Sequence, residues 1–142
     1  MNLLRLLLLL AFAGGAYHWW HKHQIAQVER EVMSDASDTG FVPMQRPMNT
    51  PTGAVLIFAP PNCPSATAQR ARALARGLED LGIPHVVLDE ASFDIDGSDP
   101  ALMARFRSVM EGKGPPVFVR NRAKAAPTMD EVLAEYRSGR RR

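Results

Sequence analysis

The chain has 142 residues, with 17 Lys+Arg against 15 Asp+Glu, 46% hydrophobic residues and one cysteine. One cysteine excludes an internal disulfide scaffold and any thiolate metal cluster built within one chain, and the apolar content excludes a disordered polyampholyte. A formal charge of +2 gives no argument for nucleic acid as a partner, and residues 139–142, with three terminal arginines, read as a solvated basic tail.

From Leu3 to Trp20 the chain is apolar except for Arg5 and His18. Those residues as a helix rise about 27 Å, close to the roughly 30 Å hydrocarbon core of a bilayer. Arg5 can snorkel at one end, and Tyr17, Trp19 and Trp20 suit the opposite interface. Residues 1–33 therefore read as an uncleaved transmembrane anchor with a short stalk. The rival is a secretory signal cut after Ala11-Phe12-Ala13 or Gly14-Gly15-Ala16, at or below the short end of the usual range. The Arg5 side being short and positive puts the N-terminus in the cytoplasm. That makes a single-pass protein of a bacterial inner membrane with its domain in the periplasm; secretion after cleavage is the alternative. His18, His21 and His23 have no carboxylate or cysteine beside them to complete a metal shell, so no metal is expected. Ile25, Val28 and Val32 form a thin apolar stripe on a polar helix, as a stalk would.

Residues 34–52 hold Gly40, Pro43, Pro47 and Pro51 among polar residues, with no sustained period, and read as a flexible linker. The organised domain is residues 53–138. Ala54–Ala59 is a continuous apolar run bounded by Gly53 and Pro60-Pro61, a strand buried on both faces. Pro64 suits a first helical turn, and Ala68, Ala71, Leu74, Leu78 and Leu81 repeat at helical spacing until Gly82. His85–Leu88 is a second strand. Ser98-Asp99-Pro100 opens a helix with Leu102, Met103, Phe106, Val109 and Met110 on one face. Pro115–Val119 begins a third strand, Asn121-Arg122 suits a hairpin turn, and residues 123–126 return as a short edge strand. Thr128 and Glu131 have capping-box spacing, and Val132, Leu133 and Tyr136 give the last helix its buried side. The class is α/β, a four-stranded mixed sheet flanked by helices.

That order, with one cysteine between the first strand and first helix and a proline opening the third strand, resembles the thioredoxin fold, and within it the glutaredoxin family. The resemblance rests on Leu56–Ser65, which contains Cys63-Pro64, then Pro115–Val119, then Asp130–Tyr136. It implies a divergent, membrane-anchored member with one active-site cysteine. Cys63 would be catalytic, with Pro64, Pro115, Pro116 and Asp130 contacting substrate and the bond before Pro115 cis. No cofactor is implied, with glutathione as the co-substrate and a thiol- or disulfide-bearing protein as the other partner.

The chemistry of Cys63 also follows from its place. A thiol at a helix start faces free N–H groups and the positive dipole end, which favour thiolate, the species that opens a disulfide. The other reading makes Cys63 a small buried hydrophobe.

Several positions depart from the family. Cys63-Pro64-Ser65-Ala66 lacks the second cysteine of Cys-Pro-Tyr-Cys, so only intermolecular disulfides can form, and it does not match the Cys-Gly-Phe-Ser of cluster-bridging members. Pro60 stands where a lysine is usual, and Pro127-Thr128 replaces a Gly-Gly pair, so glutathione contacts are inherited in part. The expectation is a monothiol thiol–disulfide oxidoreductase. The alternative is a redox-inactive binding module that holds a partner protein at the membrane.

Overall fold

The computed structural model describes residues 2–59 and 64–141. The element order is α1 (Leu3–Ser34), β1 (Val42–Pro43), β2 (Val55–Phe58), α2 (Ala66–Asp80), β3 (His85–Leu88), α3 (Pro100–Met110), β4 (Pro116–Val119), β5 (Arg122–Ala125) and α4 (Met129–Ser138), closed by a 3-10 turn at Gly139–Arg141. The sheet has five strands in the order β1-β5-β4-β2-β3. β2 and β3 are parallel, as a helical crossover between neighbouring strands requires, and every other pairing is antiparallel.

Alternation along the inner strands divides the core into two layers. Val55, Ile57, Val117 and Val119 face α2 and α4, meeting Ala71, Leu74, Leu78 and Val132. Leu56, Phe58 and Phe118 face the other way, against Val109 and, partly buried, Phe106 of α3, with Phe93 stacked on Phe58 at 6.2 Å between ring centroids. The caps explain where the helices begin. Ser65 Oγ accepts from the Ala68 N–H, Asp99 accepts from Ala101 and Leu102, and the Thr128–Glu131 capping box is complete.

Four expectations need correction. The sheet gains a fifth strand from the segment read as a flexible linker. Phe41 is fully buried among the α2/α4-side residues, Val42 and Met44 are buried on the other side, and the Met44 N–H donates to Asn121 O at 3.0 Å. Pro43 is tolerated because β1 is an edge strand. Below it the Arg46 guanidinium donates to the carbonyls of Arg120 and Ala54, each at 3.0 Å, and to that of Pro51. Burial lowers its pKa. Second, the 123–126 strand begins at Arg122 and is no edge, and the hairpin turn falls on Arg120-Asn121, with Arg120 at φ 54°. Third, Pro64 precedes the helix instead of lying in its first turn, because Ser65 is the N-cap. Fourth, the Gly114–Pro115 bond is trans. The loop there is fixed by Gly114 at φ +136° and by the Ala126 N–H, which donates to Pro115 O at 3.0 Å.

α1 is one unbroken helix, and residues Leu3–Gln24, of mean hydropathy 1.3 with none buried, are long and apolar enough to span a membrane or to act as a signal sequence. Tyr17 stacks on His21 and Trp19 meets His23 edge-on, so two histidines lie against aromatic rings. The far end of the helix is docked. Val32 is buried with Val42, Met44 and Val109, and Asp35 forms a 2.7 Å ion pair with Arg105 of α3. Arg122 adds bonds to the carbonyls of Asp35 and Phe41.

Candidate functional site

In a sheet of this kind the carboxyl ends of the parallel strands, where chain direction reverses into helices, form a natural crevice. Here β2 ends at Phe58, the Ala59 N–H is held by Leu88 O at 2.9 Å, and α2 begins at the Ser65 cap. Cys63 lies between these two fixed points, outside the described residues. Pro64 is exposed, and its carbonyl accepts from the Gln69 side chain at 3.1 Å.

The antiparallel partner β4 starts at the same end of the sheet. Leu56 pairs with Phe118 and Ile57 with Val117, so carrying the register two places on sets Pro115 opposite Ala59. The β5–α4 turn closes over this start. A Cβ at Gly114 would lie 2.5 Å from Ala126 Cβ, so only glycine lets the two loops approach this closely.

Between α2 and these two loops opens a cleft of about 280 Å³. Arg70, Ala73 and Leu74 line it from α2, Pro115 from the start of β4, and residues 126–129 from the β5–α4 turn. No family model, curated protein or solved structure matches this chain. The chemistry of the cleft must therefore be read from its own residues. Its walls are apolar apart from Arg70 and Thr128, and the Thr128 hydroxyl already accepts from the Glu131 N–H at 3.3 Å.

The expected contacts divide. Pro115 lines the cleft and is buried. Pro116 is buried within β4, opposite Ala125, and does not line it. Asp130 is exposed on the first turn of α4 and is likewise outside the lining. Glu131 beside it is engaged elsewhere, with Lys124 Nζ at 2.7 Å and the Thr128 N–H at 2.9 Å holding its carboxyl below the usual carboxylate range.

Arg70, Ala73 and Met129 were not singled out from sequence as site residues. The available signal was spacing: Ala66, Arg70 and Ala73 follow one another at four and three, so one face of α2 carries them all. Leu74 was legible only as a core position, and it serves both, being buried against the sheet and bordering the cleft.

Proposed function

We propose that this protein is a membrane-anchored, glutaredoxin-like thiol–disulfide oxidoreductase of monothiol type, with Cys63 as the attacking sulfur. The observation that carries the reading is the arrangement β5-β4-β2-β3, with β2 parallel to β3 and with β4 and β5 antiparallel, in which α2 opens just after Cys63. That order resembles the strand plan of a thioredoxin-like fold with β1 added at the edge, and this likeness supports the reading. Pro115 at the adjoining strand start, with a cleft beside it, supports the reading of this end of the sheet as the substrate side.

In the proposed cycle the Cys63 thiolate attacks one sulfur of R–S–S–R′, forming Cys63–S–S–R and releasing R′–S⁻. A second thiolate, R″–S⁻, then attacks the R sulfur, giving R–S–S–R″ and restoring Cys63. Electrons and atoms balance across the two exchanges, and the external thiol does what a second cysteine would do in a dithiol protein. Glutathione is the candidate for R″, and of the residues expected to contact it only Pro115 lines the cleft.

The test is the alkylation rate of Cys63 in the full chain against pH. A midpoint below the unperturbed value of about 8.5 is expected, and a midpoint above it would refute the reactive-thiol reading. A second reading, a redox-inactive module that binds a partner at the membrane, draws support from one observation. Where the family has Gly-Gly, Pro127 has no N–H to offer and the Thr128 hydroxyl is committed to its own helix cap.

We also read α1 as an uncleaved anchor in a bacterial inner membrane, with the domain in the periplasm. A reporter enzyme active only outside the cytoplasm, fused after Arg142, should be active while the protein stays with membranes after a salt wash. A soluble product with a shortened N-terminus would establish cleavage and secretion instead.

A further inference from the structure

The direction of α1 decides which end of the domain it leaves from. Val32 shares a buried cluster with Val109, and Asp35, three residues on, pairs with Arg105, four residues back along α3, so the two helices run in opposite directions. Residues before Val32 therefore continue past the carboxyl end of α3. The cleft opens at that same end. Beyond Met110 the chain reaches Gly114 and Pro115 at the start of β4, and Gly112 is so close to Ala125, at the carboxyl end of β5, that a Cβ there would collide with it. The Arg120-Asn121 hairpin lies at the opposite end of β4, with the Arg46 guanidinium on the Arg120 carbonyl. The apolar stretch of α1 closes at Gln24, eight residues before Val32. On a helix that is about 12 Å, and the carboxyl end of α3 with its loop projects from Val109 into the same interval.

On the reading of α1 as an uncleaved anchor, we infer that the domain turns its cleft end toward the bilayer, and that the cleft receives an apolar segment of a second protein anchored in the same membrane. Leu74, Pro115 and Met129 give the cleft apolar walls that suit such a segment. About four extended residues bridge the ~12 Å from a neighbour's span to this end of the domain. A lipid chain would have to cross that interval through water, which opposes it as the occupant. A partner free in solution must enter between the domain and the membrane, whereas one that leaves the bilayer beside α1 is already there. The orientation depends on α1, α3 and the sheet alone, uses no property of Cys63, and is the same for thiol exchange and for simple binding.

The experiment uses the full chain, with Cys63→Ser, in vesicles of phosphatidylethanolamine and phosphatidylglycerol. A donor dye is attached in turn through Lys113→Cys, in the exposed loop before β4, and Asn121→Cys, in the exposed hairpin, with an acceptor on the lipid headgroups. These positions lie beyond opposite ends of β4, a strand about 13 Å long, so energy transfer should be about twofold more efficient from residue 113 than from residue 121. Transfer from residue 121 that equals or exceeds that from residue 113 would overturn the orientation while leaving the anchor intact. Failure of the chain to float with the vesicles would remove the anchor, and the orientation with it. For the occupant, p-benzoylphenylalanine replaces Ala73 in the cleft, and single-span peptides carry the same apolar tripeptide about four or about twenty residues beyond the span. Illumination should cross-link the nearer tripeptide at least about threefold more than the farther one. Equal yields, cross-links confined to lipid, or none to either peptide would overturn the membrane-held partner.

Discussion

Replacing Phe41 with alanine tests whether the segment between α1 and β2 belongs to the fold. Phe41 has no exposed surface and sits among Val55, Ile57, Leu78 and Val132. A fully buried phenylalanine removes roughly 150–250 Å² of surface from water, and at ~25 cal/mol per Å², less what alanine retains, its loss costs about 3–5 kcal/mol. Even 3 kcal/mol would lower the unfolding midpoint of a domain this size by roughly 12–24 °C, a large part of a typical total stability. The probe must report on the sheet. Both tryptophans, Trp19 and Trp20, lie in α1, so their fluorescence would follow the apolar helix instead of the domain. Amide exchange at Val55–Phe58 and Val117–Val119, read as a function of temperature, follows the buried strands directly. A free tether predicts the opposite outcome. If Phe41→Ala changes stability by less than about 0.5 kcal/mol, the usual range for exposed substitutions, the packing described for residues 41–44 is wrong.

Gly114→Ala should destabilise by about 2–4 kcal/mol, since its Cβ meets Ala126 Cβ at 2.5 Å and its φ of +136° is costly for alanine. Thermal melts should show partial recovery in Gly114→Ala/Ala126→Gly, which removes the collision and leaves the backbone cost. Glu131→Gln should cost no more than about 1 kcal/mol at neutral pH, because the pair with Lys124 is partly exposed and screened. The folded-state pKa of Glu131 is depressed, so its contribution is present above the ordinary carboxylate value of about 4.3 and is lost as pH falls through the lowered value. Wild-type and Glu131→Gln stabilities measured during acidification should converge below that window, and a gap that widens there would contradict the sign. Val32→Asp puts an unpaired carboxylate among Val42, Met44 and Val109, and should raise amide exchange in residues 30–35 by freeing the end of α1 from α3.

The elements built by local chemistry were legible in the sequence. The run Val55–Phe58, the repeat through Ala68, Ala71, Leu74 and Leu78, and the Thr128–Glu131 box each carry a short-range signal, and each appears where it was expected. β1 had no such signal. Two residues paired at a sheet edge, one of them Pro43, show no period, and their place depends on a partner some eighty residues away. The hairpin shifted by one residue because Arg120, not glycine or asparagine, takes the left-handed backbone. The start of α2 turned on a choice between two neighbours that both suit a helix N-terminus, Pro64 and Ser65, and the hydroxyl that accepts from the Ala68 N–H decided it. That choice matters for chemistry, because it leaves Cys63 two residues before the cap and removes the helical three-residue spacing to Ala66 expected from a family-like start. Pro115 could be found from its strand, whereas Arg70 became a cleft residue only once α2 and the start of β4 were side by side.

The unbroken run of α1 into its docking contact at Val32 changes what the domain can reach. A flexible tether of nineteen residues would let its load wander with a root-mean-square reach of roughly 25 Å, sampling every orientation. Here about 18 Å of helix separates Trp20 from Val32, and the last turn is fastened to α3 and β5. With α1 as the anchor, the domain would be carried on a strut that confines its height above the lipid. Such mounting replaces a diffuse local concentration with a narrow shell. On the thiol-exchange reading proposed above, a partner disulfide brought to that height by its own anchor would meet the domain at high effective concentration, and one tethered much higher or lower would hardly meet it at all.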